Sequence, residues 1–396
     1  MIKLLKKRTD LSNDNNIVCL SALSVFLPYY LTGIAILILS IYILLKKRPL
    51  DTVFNHTAAF LFPIFSVYTL IVALVNKNYM GAGCSILFFL ICVIGYYIRW
   101  VMNRDLFEKV LDLICVTSVF TSIVVIVERL IYLKAGTHRC FGDFFNNMYS
   151  SIYFHPNYLG SIMAAVILIC AYKVVIKKTE KKYYFIIATF AAICMFCTES
   201  MFAWIEVFAG LSILLLLARR HQLLGIMFIT IAFAGAVLYA VPEIFPRIAD
   251  ADGTFDNRVL IWDLTVNAIR QSPFWGFGFF AYYQVSLNTP GAYVTTHAHN
   301  IFLEPLLSFG IIGSLILFAL VFVFFHRVVL CKNFMRKSGI PCLALSLTAA
   351  ILIHSITDMT MLWIQTALLY FVVMGGIGAD EQVMFKIFKK HKNINS

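Results

Sequence analysis

Two histidines two residues apart, His297 and His299, stand with Asn300 and Glu304 at the head of an apolar run that reaches Phe325. A neutral imidazole takes a proton from a hydroxyl near pH 7, so this is a place for general-base chemistry. A lone histidine here would read as a helix-end residue, or one packed on Tyr293; the pair beside Asn300 favours chemistry. Two histidines at i and i+2 on an extended segment also suit zinc, but no third ligand stands at a sensible spacing. No metal and no cofactor are therefore expected. Glu304 falls about one turn into the apolar span, where a carboxylate is costly unless paired, hydrated or neutral, so it is read as functional.

Arg258 and Arg139 carry the fork of donors that suits phosphate and stay charged at any relevant pH. The plainer reading pairs them with Asp256 or Asp143. Glu206, inside the apolar stretch 201–218, stays open between function and a structural hydrogen bond. His354 and Asp358 are spaced to touch on one helix face, either orienting the site or pairing structurally. The D-A-D-G run at 250–253 resembles a metal-binding pattern but suits a turn equally well.

The elements that position these groups are membrane helices. Only 13% of the 396 residues are charged, 61% are hydrophobic, and the mean hydropathy is +0.85. Soluble domains carry about 25% charged residues. The net charge of +12 does not imply nucleic acid, because the basic residues gather in short connections between apolar runs, where they orient a membrane protein. The ten cysteines lie mostly in apolar runs and show no CxxC or Cys/His ligand spacing; Cys140 is the one placed for oxidation. The basic start M-I-K-L-L-K-K-R is followed by no small-residue cleavage site, so a retained first span is expected.

Residues 16–45 form one apolar stretch broken by Pro28 and Gly33, with basic clusters at both ends. As one helix it would run about 45 Å against a hydrocarbon core of about 30 Å, and one basic cluster would lie outside; two short crossings avoid both faults. The same reasoning makes 183–218 two spans turning around C-T-E-S at 197–200. Further spans are expected at 57–75, 84–102, 110–130, 152–176, 222–242, 299–326, 339–357 and 360–378. The fold class is thus an all-α integral membrane protein of about twelve transmembrane helices, both termini cytoplasmic. Its expected parts are an N-terminal bundle (1–242), an extracytoplasmic loop (243–298), C-terminal transmembrane helices (299–378) and a basic tail (379–396). Only Lys77, Arg129, Lys134, Arg139, Arg247, Arg258 and Arg270 then fall outside, and orientation does not explain them. In the long loop an amphipathic surface helix is expected, capped by Asp256 and ended by Ser272-Pro273. Its one face would carry Arg258, Trp262, Val266 and Ile269, and W-G-F-G (275–278) would follow as a flexible aromatic turn.

Together these motifs resemble the O-antigen ligase and polysaccharide polymerase family of bacterial envelope glycosyltransferases. The resemblance is carried by His299-Asn300, nine residues, Gly310, two residues, Gly313. It is supported by Arg139-x-x-Gly142 with Pro156-Asn157, by Arg258-x-x-x-Trp262, and by Pro273 with Gly276 and Gly278. His354 with Asp358 resembles a weaker C-terminal pattern. The family commonly has Thr-x-Ser-Arg where this chain has Thr198-Glu199-Ser200-Met201, so Arg139, Arg129 or Arg258 is expected to carry more of the phosphate load.

The resemblance implies a GT-C-like, inverting, metal-independent enzyme on the outer face of the bacterial plasma membrane, with a lateral opening for lipid. It would transfer or polymerise glycan from an undecaprenyl-diphosphate carrier to a glycan or lipid-linked acceptor. On that reading His299 is the base, with His297, Asn300 and Glu304 in the catalytic group. Arg258, Arg139 and Arg129 hold the diphosphate, and Asn157, Trp262, His354 and Asp358 support. Expected partners are the lipid-linked donor, the acceptor, the bilayer and other envelope polysaccharide assembly proteins, with no nucleic acid. A ligase acting on a lipid or protein acceptor is the near alternative, and a flippase of lipid-linked oligosaccharide the distant one. A flippase predicts broken helices around a midplane cavity and often repeats, and no repeat is visible here.

Overall fold

The computed structural model describes residues 13–47, 60–135, 155–241, 251–330 and 339–380, and no strand occurs among them. The chain is an all-α membrane protein. Among the described residues, six helices are long and apolar enough to cross a bilayer: Tyr29–Lys47, Tyr79–Val101, Arg104–Ile131, Pro156–Val175, His221–Ala240 and Leu303–His326. Leu61–Val75, Met201–Leu217, Ile340–His354 and Ile364–Asp380 are shorter apolar helices.

The break expected near Pro28 is present. Helix α1 (Asp14–Ser24) is capped by the Asn13 side chain, and α2 (Tyr29–Tyr42) follows with a looser turn at Ile43–Lys47. Asp14 at the start of α1 meets Lys47 beyond α2 at 2.7 Å, so the two helices run back to back as a hairpin. Eleven residues make α1 only about 16 Å long, so α1 alone does not cross a core of about 30 Å.

Helices α3 (Leu61–Val75), α4 (Tyr79–Val101), α5 (Arg104–Ala135) and α6 (Pro156–Val175) follow. Next come α7 (Lys181–Cys197) and α8 (Met201–Leu217), which turn at 198–200 as expected, then α9 (His221–Ala240), which has no buried residue. The main core joins Ile94 and Tyr97 of α4, Phe107 of α5 and Leu168 of α6 to later helices through Leu347 and Leu368. In lipid such a core is held by close packing more than by exclusion of water. The buried Lys173 on α6 is neutralised by Glu108 at 2.8 Å and Asp112 at 2.6 Å, both on α5.

The loop helix α10 (Ala251–Gln271) starts earlier than expected, so Asp256 lies inside it and is no cap. Asp250 and the side chains of Ala251, Asp252 and Gly253 lie outside the described residues. Its inward face is Ile261, Thr265 and Ala268, with Arg258, Trp262 and Ile269 beside them, while Val266 points outward. The reason is packing: α10 lies against α12 (Leu303–Leu330), and this pairing rotates its face away from the one that apolar spacing suggested. A short helix, α11 (Ala281–Leu287), completes the segment.

The W-G-F-G run is clamped and not flexible. Helix α12 is interrupted at Gly310, whose φ of +61° and ψ of −170° lie in a region essentially reserved for glycine. The chain at 273–278 fills the break. Phe277 N donates to Leu307 O (3.1 Å), Gly278 N to Ser308 O (2.7 Å), and Ile311 N to Pro273 O (2.9 Å). A break at membrane depth is tolerated only where protein re-satisfies the freed backbone groups, as here. A Cβ on Gly310 would sit 2.4 Å from the backbone of Phe274, and one on Gly276 2.6 Å from Gly310 N. Gly310→Ala is therefore expected to lower the melting temperature and the yield of folded protein, since strain at such a φ costs about 1–3 kcal/mol before the collision is counted. A variant that unfolds at the wild-type temperature would contradict this.

Candidate functional site

Asn300 makes the site's local geometry. Its side-chain oxygen accepts from Phe302 N (2.9 Å) and Leu303 N (3.1 Å), capping α12, and its amide donates to Ile356 O (3.1 Å). Glu304 completes the cap from the other side, accepting from Ala298 N (2.7 Å) and from Ser308 Oγ (2.7 Å). This is the logic of a capping box, in which a first-turn carboxylate reaches back to the chain ahead of the helix. Asn300 and Glu304, expected to act on substrate, thus spend these bonds on the turn between them. That turn holds His299 at φ +51°, a left-handed conformation that non-glycine residues adopt rarely and that often marks functional sites.

The turn presents both imidazoles to one carboxylate. Asp358, between α13 (Ile340–His354) and α14 (Ile364–Met374), is buried. Its Oδ1 lies 2.7 Å from His297 Nε2 and 3.0 Å from His299 Nδ1. Asn157 Nδ2 at the start of α6 donates to Asp358 Oδ2 (2.6 Å), and Ser200 Oγ donates to Asn157 Oδ1 (3.0 Å). Asp358 therefore has partners on both oxygens and is the hub of the cluster. His354 and Asp358, expected to touch each other, instead face different partners: His354 Nδ1 lies 2.8 Å from Glu206 Oε2. Helix α13 ends at His354, which frees Asp358 to turn away.

Burial, reinforced by His297, pushes the His299 imidazole down to about 3, against the pull of Asp358. For Asp358 burial acts the other way, yet His299 and the hydrogen bonds from both imidazoles hold the carboxyl well below the usual carboxylate range. At pH 7 the pair is an ionised Asp358 and a neutral His299. A neutral ring giving its Nδ1 hydrogen to Asp358 leaves the Nε2 lone pair as acceptor. Thr295 Oγ1 lies 3.0 Å from that Nε2, where a substrate hydroxyl would have to stand. A carboxylate fixing an imidazole that faces a hydroxyl is the arrangement of a general base.

Arg258 on α10 lies within electrostatic reach of His299, Asp358 and Tyr158, and makes no hydrogen bond or ion pair among the described residues. Burial lowers its pKa, Asp358 acts oppositely, and a guanidinium stays charged throughout. A cation beside a base, with no partner among the described residues, suits an anionic leaving group. Trp262, one turn on, packs against the small core of Ile261 and Leu307 and touches the exposed Phe255 ring, its own ring nitrogen buried with no partner among the described residues. Arg129 instead pairs with Glu199, in the turn where the family resemblance had led to an arginine. Arg139 lies outside the described residues.

The hub role of Asp358 and the pairing of Glu206 with His354 were not visible from sequence spacing. A carboxyl at the end of an apolar span, and the weaker C-terminal pattern it forms with His354, were the signals available for Asp358, and local spacing pointed it at the wrong partner.

No curated protein matches the chain. The family described as O-antigen ligase matches residues 186–318, from α7 through Arg258 and both histidines to the break at Gly310 and Gly313. Asn157 and Asp358 fall outside the matched segment and reach the site through the fold. Over residues 186–318 the chain is similar to the O-antigen ligase family.

Proposed function

We propose that this protein is a membrane glycosyltransferase that polymerises glycan from an undecaprenyl-diphosphate donor on the outer face of the plasma membrane. The observation that carries the reading is the Asp358–His299 pair, with Nε2 turned to a hydroxyl position beside Arg258. Nε2 takes the proton of the acceptor hydroxyl as its oxygen bonds to the anomeric carbon from the face opposite the diphosphate. The bond to the diphosphate breaks with inversion, and Arg258 offsets the charge on the departing oxygen. In this reading the chain crosses the membrane about twelve times in a GT-C-like arrangement, with both termini inside and α10 over a lateral opening for lipid. Transfer to a lipid or protein acceptor uses the same base and cation. A deletion strain separates the two: accumulated single lipid-linked repeats mean polymerase, and intact free polymer means ligase.

The low His299 value has a consequence for rate. A diphosphate bound alongside adds negative charge and favours the imidazolium, so the base strengthens when the donor is present. The acid limb of kcat is expected at higher pH than the acid limb of kcat/KM, which reports the free enzyme and lies well below 6.5. Coincident limbs near 6.5 would contradict a buried, neutral His299. Stability follows the same group. The folded pKa lies below the unfolded one of about 6.5, so its contribution is lost as pH falls from there toward about 3.

Arg258→Lys is expected to lose about ten-fold or more in kcat/KM, because an ammonium cannot reproduce the planar fork. Unchanged kinetics would remove Arg258 from the phosphate site.

A second reading comes from the same cluster, since ligand atoms of His297, His299 and Asp358 lie within 4.8 Å of one another. The third ligand that local spacing did not reveal is supplied 59 residues beyond His299. Three protein ligands with an open position is the pattern of a catalytic zinc. Against it, both ring nitrogens share one carboxylate oxygen at hydrogen-bonding distance and the other oxygen is taken by Asn157. Full activity in chelator is expected; loss restored by added zinc would favour the metal.

A further inference from the structure

Among the buried ionisable residues that the mechanism does not use, Lys173 and Asp380 are held in ion pairs with acidic and basic partners, and Glu206 and His354 pair with each other. Glu206 on α8 and His354 at the end of α13 are fully buried among membrane helices. Ser161 Oγ donates to Glu206 Oε2 (2.7 Å), and His354 Nδ1 lies 2.8 Å from that oxygen and 3.1 Å from Ser161 Oγ. Phe202 stacks on the His354 ring at 5.9 Å. Glu206 Oε1 and His354 Nε2 are buried with no partner among the described residues. Two orphaned polar atoms in an apolar bundle are costly, and an apolar pair of the same volume would pack there at no such cost. Packing alone therefore does not account for these residue types, and an ionisable pair at membrane depth points to function.

The position of the pair indicates what it does. Asn157 and Ser161 are one helical turn apart on α6, and His354 and Asp358 are four residues apart at the end of α13. Ser200 and Glu206 stand at the cap and within the second turn of α8. Three elements thus each give one residue to an upper layer (Asn157, Ser200, Asp358) and one to a lower layer (Ser161, Glu206, His354). In the upper layer Asp358 meets both histidines, while Asn157 holds Asp358 and Ser200 holds Asn157. The segment carrying Asp358 hangs from the lower layer, since Asp358 N donates to the His354 carbonyl (3.1 Å).

We propose that Ser161, Glu206 and His354 form a positioning layer that sets where Asp358 meets His299, and so fixes which nitrogen of His299 faces the acceptor. These residues touch no substrate. The proposal rests on the reading of His299 as base. Outer partners of metal-bound histidines contribute about 10–100-fold when removed, and a loss on that scale is expected here.

The test uses the full chain purified into vesicles with an undecaprenyl-diphosphate-linked glycan as donor and acceptor, with rates referred to folded protein. His354→Ala is expected to lower kcat at least ten-fold with KM for the donor within two-fold. His354→Asn, whose amide reaches the place of Nδ1, should recover most of that loss. In an Asp358→Asn background, His354→Ala should cost nothing further, because both act through one carboxylate. Should His354→Ala fail to fold, Ser161→Ala removes a single bond and should lower kcat about three-fold with KM unchanged. A kcat at the wild-type level in folded His354→Ala or Ser161→Ala overturns the proposal, as does an equal loss from His354→Ala in both backgrounds. His299→Ala in the same assay separates the two ideas. A silent His299→Ala beside a fully active His354→Ala sinks the layer alone, and an active His299→Ala sinks both.

Discussion

Cells carrying His299→Ala in place of the wild-type protein are expected to make no extended glycan, to accumulate lipid-linked single repeats, and to keep the protein in the membrane at its normal level. A positioned base contributes about 10²–10⁴-fold, and here no neighbour replaces it. Both ring nitrogens of His297 are engaged, with Asp358 and with Thr296. Backbone strain is a fair objection to alanine, since His299 sits at φ +51°. His299→Asn answers it, because asparagine adopts that conformation more readily than most residues and still offers no comparable base. Both variants should be equally silent. Extended glycan at wild-type levels from either one would remove His299 from the chemistry.

Asp358→Asn is expected to fall nearly as far, by about 10²–10⁴-fold in kcat, although Asp358 sits a residue's breadth from the acceptor. The negative charge that stabilises the imidazolium is lost. The amide also disturbs the site in either orientation: with its NH₂ toward the imidazoles the Nδ1–H tautomer of His299 is no longer imposed, and with its NH₂ in place of Oδ2 it faces the Asn157 amide, donor against donor across the 2.6 Å contact. KM for the donor should stay close to wild type, because Asp358 points at the histidines and not at the phosphate. A kcat within about three-fold of wild type would mean that the carboxylate does not orient the base.

How far the sequence alone reached can be followed residue by residue. The hairpin at Pro28 and the turn at 198–200 were legible, because flanking lysines and arginines set where the chain must return. The helix end near Ser272-Pro273 was legible from the proline, and apolar runs marked the six described helices long enough to cross, while Leu61–Val75, Met201–Leu217 and Ile340–His354 are shorter than the spans expected there. Asp358 was seen but given the wrong partner, since i, i+4 spacing holds only while the helix continues, and α13 stops at His354. Val266 was placed on one face with Arg258, Trp262 and Ile269 by periodicity, but packing on α12 leaves Val266 exposed and buries Ile261, Thr265 and Ala268 instead. The glycines at 276 and 278 looked like slack in the chain; they prove to be the points where one backbone lies against the broken turn of another. Contacts of that kind, and the Glu206–His354 pair across 148 positions, depend on which helices become neighbours, and no local pattern states that.

In the proposed mechanism a neutral His299, oriented by Asp358 beside Arg258, takes the proton of an acceptor hydroxyl while a lipid diphosphate departs. Its most direct test is the release of undecaprenyl diphosphate by the purified protein in vesicles supplied only with the lipid-linked glycan. The wild type should release the carrier in step with the growth of the glycan, and His299→Asn should release none. Release by His299→Asn at the wild-type rate, with glycan extended to match, would contradict the account.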